Sequence, residues 1–149
     1  MEPLELYSLH AHLIRRLHQL STTIWSKTVS EYITAPQFAI LNYLLSNPDC
    51  DQTTLGNAVY LDRATTTEII ARMVKRDLVN RRKDPSDLRH WNLTLTQKGI
   101  RIHSQIAPLA LNHNQLLLSS LNQEEQDRLL TYLTNMCQPT ATIINIQSS

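Results

Sequence analysis

The sequence has 149 residues, 42% of them hydrophobic and 18% charged, which excludes a disordered chain and fits one globular domain with its own core. The net charge of +1 identifies no partner, but residues 63–101 hold ten Lys or Arg against four acids, a net of +6 that leaves −5 for the rest. A basic middle in an acidic chain is the electrostatic footprint of a local nucleic-acid surface, or of a solvated basic face.

Residues 4 to about 30 predict one long helix. Leu9, Leu13, Leu17, Leu20 and Ile24 recur at three- and four-residue steps and form an apolar stripe. His12, Arg16, Gln19 and Thr23 form a polar stripe beside it. The stretch from Met1 to Leu9 carries Glu2 and Glu5 and no apolar run, so neither a signal peptide nor a transmembrane segment is expected. Thr34-Ala35-Pro36 opens a second helix, with Thr34 as cap and Pro36 in the first turn, where its missing N–H has no partner to lose. Its expected buried positions are Phe38, Leu41, Leu44 and Leu45.

Asp51 can cap a short third helix, to about Ala58, with Leu55 and Ala58 inward, and Asp62 can cap a fourth over 63–77 that buries Thr66, Ile69, Ile70 and Met73. The period then changes. Residues 79–83 are short and basic, and Trp91, Leu93 and Leu95 alternate with Asn92 and Thr94, the period of a strand. With the polar loop from Asp84 to Arg89 between them, they predict a β-hairpin. Thr96 can cap a fifth helix, 97 to about 119, carrying Ile100, Ile106, Leu109, Leu116 and Leu117, which Pro108 should kink. Asn122 and Glu125 form a capping-box pair for a sixth helix, to about Cys137, ended by Pro139.

Helix, turn, helix and hairpin make a winged helix-turn-helix in a mainly α chain of six helices. The second helix of such a pair fits the major groove, and a basic hairpin can reach the neighbouring minor groove. The fourth helix offers Arg63, Thr65, Thr67, Glu68, Arg72 and Lys75, and Thr53 stands at the start of the third. The wing supplies Arg81, Arg82, Lys83 and Arg89, with Asp87 to orient Arg89.

Leu61-Asp62-Arg63-Ala64-Thr65-Thr66, Leu78-Val79-Asn80-Arg81-Arg82, Asp84-Pro85-Ser86-Asp87-Leu88-Arg89 and Leu95-Thr96-Gln97-Lys98-Gly99 together resemble the multiple-antibiotic-resistance regulator (MarR) family. Pro36-Gln37-Phe38 and the long first helix extend the resemblance over nearly the whole chain. It implies an intertwined homodimer, with 1–33 and 100–149 as the dimerisation region and 34–99 as the DNA-binding region (helix-turn-helix 51–77, wing 78–95). It also implies a double-stranded, pseudo-palindromic operator and a repressor relieved by a small ligand. Leu88 departs from the family's usual Arg. Glu68 stands where a base is common, either as a base reader or as a source of modest affinity.

The segment Leu13-Ile14-Arg15-Arg16-Leu17-His18-Gln19 resembles a subgroup that responds to aromatic carboxylates, such as hydroxycinnamates and nicotinate derivatives. Arg suits bidentate carboxylate binding, so Arg16, with His12, Gln19 and Thr23 on its stripe and Phe38 and Leu41 as walls, is the candidate effector site. The alternative for Arg15 and Arg16 is inter-subunit ion pairing or solvation, and the alternative function is a constitutive or architectural DNA-binding protein with no effector.

Cys50 and Cys137 stand in no metal-like spacing, and Cys50 between Asp49 and Asp51 should resist ionisation. With no disulfide framework, a cytoplasmic location is expected. No cysteine precedes Cys50, which disfavours the family's N-terminal peroxide-sensing mechanism. Most of the six histidines are expected on the surface or at an interface. Without a Gly-rich phosphate loop, a nucleophile elbow or a metal-ligand cluster, no enzyme, cofactor or metal is expected.

Overall fold

The computed structural model describes residues 5–83 and 91–138. It is mainly helical: α1 (His10–Thr28), α2 (Ala35–Ser46), β1 (Cys50–Asp51), α3 (Gln52–Ala58), α4 (Arg63–Lys75), β2 (Val79–Lys83), β3 (Trp91–Leu95), α5 (Gln97–Leu117) and α6 (Gln123–Cys137). The chain divides into two compact units, Met1–His113 and Asn114–Ser149. Among the described residues no helix is long and apolar enough to cross a membrane, and no group of His, Cys, Asp and Glu could hold a metal ion.

The helix starts follow local chemistry. Thr34 and Gln37 form a complete capping box, as do Asn122 and Glu125. The Asp51 carboxylate accepts from the Thr53 and Thr54 amides at 2.9 and 3.0 Å, and Asp62 accepts from the Thr65 amide at 2.9 Å. These bonds satisfy amides that have no partner inside the helix.

The long N-terminal helix is shorter than the periodicity predicts. Leu6–Ser8 forms a separate 3₁₀ turn, and Leu9 is extended (φ −92°, ψ 109°), so α1 begins at His10. Only Trp25 of α1 is buried. In α2, Ile40, Leu41 and Leu44 are buried while Leu45 is 45% exposed, because the inward face turns toward Ile40. In α3 Gly56, not Ala58, lies inward beside Leu55. A Cβ on Gly56 would sit 2.8 Å from Thr66 Oγ1, so α3 and α4 approach more closely there than a side chain allows.

The hairpin gains a third strand. The sheet order is β1-β3-β2, all antiparallel, with Cys50 opposite Leu93 and Arg81 also opposite Leu93. Two residues carry too little periodicity to announce β1. The α4 helix stops at Lys75, and the chain reverses through Asp77 at φ 59°, with the Leu78 amide returning to Met73 O at 2.9 Å.

That reversal explains the Leu-Thr-x-x-Gly segment. Thr96 Oγ1 donates to Asp77 O at 2.7 Å and accepts from the Gly99 amide at 2.9 Å. One hydroxyl thus caps α5 and ties its start to the end of α4. A Cβ on Gly99 would lie 2.2 Å from Leu78 O, so the position admits only glycine without backbone movement. The α5 helix runs on past Pro108. Pro139, read as the stop of α6, lies outside the described residues.

The core joins Trp25, Ile33, Ile40, Leu41, Leu44, Leu55, Ile70, Met73, Leu78, Val79, Leu93 and Ile106. Two of the six histidines, His103 and His113, are buried and stand apart from the expected surface or interface majority. Gly99, His103, Ile106, Ala110 and His113 follow a 4-3-4-3 spacing, which is the inward stripe of α5.

Candidate nucleic-acid interface

Tight anchoring of α3 against α4 fixes the helix pair. Thr66 Oγ1 is buried and donates to Asp62 O at 2.8 Å. Gln52 Nε2 donates to Thr67 Oγ1 at 3.0 Å across the two helices. The Leu61 amide donates to Gly56 O at 2.9 Å and closes the turn, in which Tyr60 adopts φ 53°. A bulky residue rarely takes that conformation, and the glycine-poor turn uses one here.

Arg63, Thr67, Glu68, Arg72 and Lys75 are exposed along α4, Thr65 is half-buried at its start, and Thr53 is exposed on α3. Two threonine protons are already committed. Thr65 Oγ1 donates to Asp62 at 2.6 Å, and Thr67 Oγ1 donates to Arg63 O at 2.8 Å. Toward a base edge, these threonines therefore offer lone pairs and methyl groups, which suit an amino group or a thymine methyl. The Thr65 hydroxyl and then its amide hold the Asp62 carboxyl below its ordinary value.

Two predicted cations are tied up in surface ion pairs. Glu68 pairs with Arg72 one turn along α4, and Arg82 pairs with Asp49. Exposed pairs of this kind contribute about 0–1 kcal/mol each, so DNA could displace them at small cost. Lys83 lies 5.0 Å from the centre of the Trp91 ring. Asp87, Leu88 and Arg89 lie outside the described residues.

Between α3, α4 and the wing strands opens a cleft of about 700 Å³, lined by Gln52, Thr53, Arg63, Thr67, Arg81 and Trp91 among others. Four residues offered for DNA contact, Thr53, Arg63, Thr67 and Arg81, thus share one cavity wall with residues outside the predicted contacts, Gln52 and Trp91 among them. The Arg81 guanidinium stacks 4.1 Å above the Trp91 ring, an arrangement worth about 0.5–2 kcal/mol.

The candidate effector residues are more dispersed. His12 packs edge-on against Tyr7 at 6.1 Å, and Arg16 lies 5.4 Å over the same ring. Gln19 and Thr23 are exposed, with Thr23 Oγ1 bonded to Gln19 O at 2.9 Å. Leu41 has no exposed surface and belongs to the core. Phe38 is half-buried between Trp25, at 5.7 Å, and His103, stacked at 5.3 Å and 7°.

Sequence reading missed the remainder of that aromatic layer. His103 Nε2 lies 3.1 Å from Asn42 Oδ1, and His113 Nε2 lies 3.1 Å from Ser21 O with its ring 5.3 Å from Trp25. The 4-3-4-3 stripe of α5 is the signal that could have found both histidines. A second cavity, of about 310 Å³, is lined by Ile33, Arg76, Leu78, Lys98, Ile102 and Ile106 among others, and includes none of the six predicted effector residues. Its two cations are engaged, Arg76 with Tyr32 O and Lys98 with Arg76 O, each at 2.8 Å. Cys50 behaves as expected: burial first, and the Asp51 charge second, push its thiol up.

Residues 33–91 match the family model described as the MarR family. The Transcriptional regulator HosA of Escherichia coli O111:H- is 31% identical over 125 residues, 84% of this chain and 92% of that protein. The crystal structure of the PcaV transcriptional regulator from Streptomyces coelicolor, in complex with its natural ligand, superposes with a TM-score of 0.89 at 36% identity, over 91% of this chain and 96% of that one. The Bordetella bronchiseptica regulator BpsR, described with the regulation of its DNA binding by 6-hydroxynicotinic acid, superposes with a TM-score of 0.88 at 28% identity, over 93% of this chain and 100% of that one.

Proposed function

This chain belongs to the MarR family of transcription regulators, and from that premise we propose a homodimeric repressor that binds a pseudo-palindromic DNA duplex and is released by a small aromatic carboxylate. It is a regulator and not an enzyme. The observation that carries the DNA reading is the cleft where α3, α4 and the wing bring Thr53, Arg63, Thr67 and Arg81 to one surface. In this reading Arg63, Thr65, Thr67, Glu68, Arg72 and Lys75 face the major groove, and Arg82, Lys83, Asp87 and Arg89 serve the wing. Changes at Thr65 or Thr67 should alter sequence preference more than salt dependence, whereas Arg89→Ala should weaken binding broadly and lower the salt slope.

Segments 1–33 and 100–149 form the dimer in this proposal, and 34–99 reads DNA. Support comes from α1, whose Leu13, Ile14, Leu17 and Leu20 remain 41–52% exposed in the single chain. A 19-residue helix with such an apolar stripe is the kind of surface a second copy covers. Two recognition helices in a dimer must sit ~34 Å apart to enter successive major grooves.

The effector reading rests on PcaV and BpsR, since one holds its natural ligand and the other answers to an aromatic acid. Arg16 supplies the carboxylate contact, His12, Gln19 and Thr23 the polar surround, Phe38 a ring wall and Leu41 its core backing. Such a ligand shifts the dimer only by binding the DNA-incompetent spacing more tightly, and each tenfold loss of operator affinity needs about 1.4 kcal/mol of that preference. A thermal-shift screen of hydroxycinnamate- and nicotinate-type acids, followed by operator gel shifts, tests it. A binding acid should raise Tm, weaken the DNA complex and lose both effects in Arg16→Ala; unchanged acid affinity in Arg16→Ala removes Arg16 from the site.

A further inference from the structure

We propose that Arg81 contacts the phosphodiester backbone of the DNA strand that crosses the cleft between α4 and the wing, and that Trp91 is the residue that positions it. The inference rests on the DNA-binding reading above and assigns a role within it.

The period of the sheet separates the wing cations. Arg81 is opposite Leu93 and Lys83 is opposite Trp91, so these four side chains share one face. That face bears the buried Leu93, and Arg81 and Trp91 line the cleft against α3 and α4. Arg82 is opposite Asn92 on the other face, where it pairs with Asp49. Adjacent basic residues thus have different fates.

Arg81 has donors to spare. Its Nε is buried with no hydrogen-bond partner, and no ion pair involves Arg81 among the described residues. A buried N–H left unpaired is costly, so the guanidinium gains if binding turns it toward an acceptor that a ligand brings. The stack on Trp91 covers one face of the guanidinium and leaves its edge for that acceptor. Arg63 adds a second cation to the same cleft. The cleft's acceptors include Asp51, whose carboxylate is bonded to the Thr53 and Thr54 amides, Gln52 Oε1, which is buried and unpaired, and the side-chain oxygens of Thr53, Asn57 and Thr67.

The geometry of a duplex selects the occupant. A helix in the major groove and a wing in the next minor groove are separated by one sugar–phosphate strand. That strand must pass between α4 and the wing, which is where the cleft lies. A guanidinium suits phosphate oxygens there, because its planar fork can donate two parallel bonds.

The test measures binding to a duplex selected by the unaltered protein from a random pool, and to a random-sequence duplex, over a range of salt. Arg81→Ala should weaken both complexes by about tenfold or more and lower the salt slope by about one. Trp91→Ala should weaken binding yet retain the slope, because the charge remains, and Trp91→Phe should recover affinity. On an Arg81→Ala background, Trp91→Ala should add little. Arg81→Met, with a side chain of similar length, replaces Arg81→Ala if that variant does not fold. A folded Arg81 variant with unaltered affinity and slope, while the parent protein binds, overturns the contact and leaves the DNA reading standing. Fully additive Trp91 and Arg81 losses overturn the positioning role. A parent protein that binds neither duplex overturns both readings.

Discussion

The winged module and α1 use the same apolar periodicity and reach opposite ends. From α2 to β3 the module buries Ile40, Leu41, Leu44, Leu55, Ile70, Met73, Leu78, Val79 and Leu93 within one chain. Nineteen residues of α1 bury only Trp25, whose indole N–H donates to Ile33 O at 2.7 Å. A stripe every three or four residues therefore says that a face wants covering, and not what covers it. In the module the partners are neighbouring elements of the same chain. Along α1 the apolar surface is left for a second copy in the dimer proposed here.

The sharpest way to break this contrast is to remove matching leucines. Leu41→Ala should cost about 2–5 kcal/mol by chemical denaturation, because a fully buried side chain leaves a cavity. Gly99→Ala should follow at about 1–3 kcal/mol, since the new methyl meets the Leu78 carbonyl and the backbone must shift. Leu17→Glu, at a 43% exposed site, should change the intrinsic stability of the fold by only about 0.5 kcal/mol. It should nevertheless dissociate the dimer in sedimentation and abolish tight operator binding. A Leu17→Glu protein that sediments as a dimer would mean that α1 is not the covered face.

The smallest expected effect is a pH dependence at the start of α4. The folded-state pKa of Asp62 is lowered, so its capping contribution is fully present above the usual aspartate value of about 3.9 and is lost as pH falls through the lowered value. Tm of the parent protein should therefore fall more steeply in acid than that of Asp62→Asn. Equal slopes would show that the cap carries no such linkage.

Caps were legible because they are local. Thr34, Asp51, Asp62, Thr96 and Asn122 each bond an amide within three residues, and the residue types alone announce them. The helix pair and the two hairpin strands followed from spacing for the same reason. The misreadings at Leu45 and Ala58 concern which side of a short helix faces in, and on two or three turns a small rotation moves a residue across that boundary. Strand β1 escaped notice because two residues form a strand only through their partner, Leu93 and Asn92 of β3.

The candidate sites divide in the same way. Sequence by itself determined that basic and small polar residues gather on α4 and the wing, since composition and period are properties of the chain. Only tertiary structure decided that Arg82 meets Asp49, that Arg81 stacks on Trp91, and that His103 and His113 enter an aromatic layer with Phe38 and Trp25. The physical reason is separation along the chain. Arg82 and Asp49 are 33 residues apart, and His113 and Ser21 are 92 apart, so no local pattern encodes the meeting. Burial, which decides whether a charge or an imidazole is solvated, paired or stacked, is fixed only when those distant segments pack.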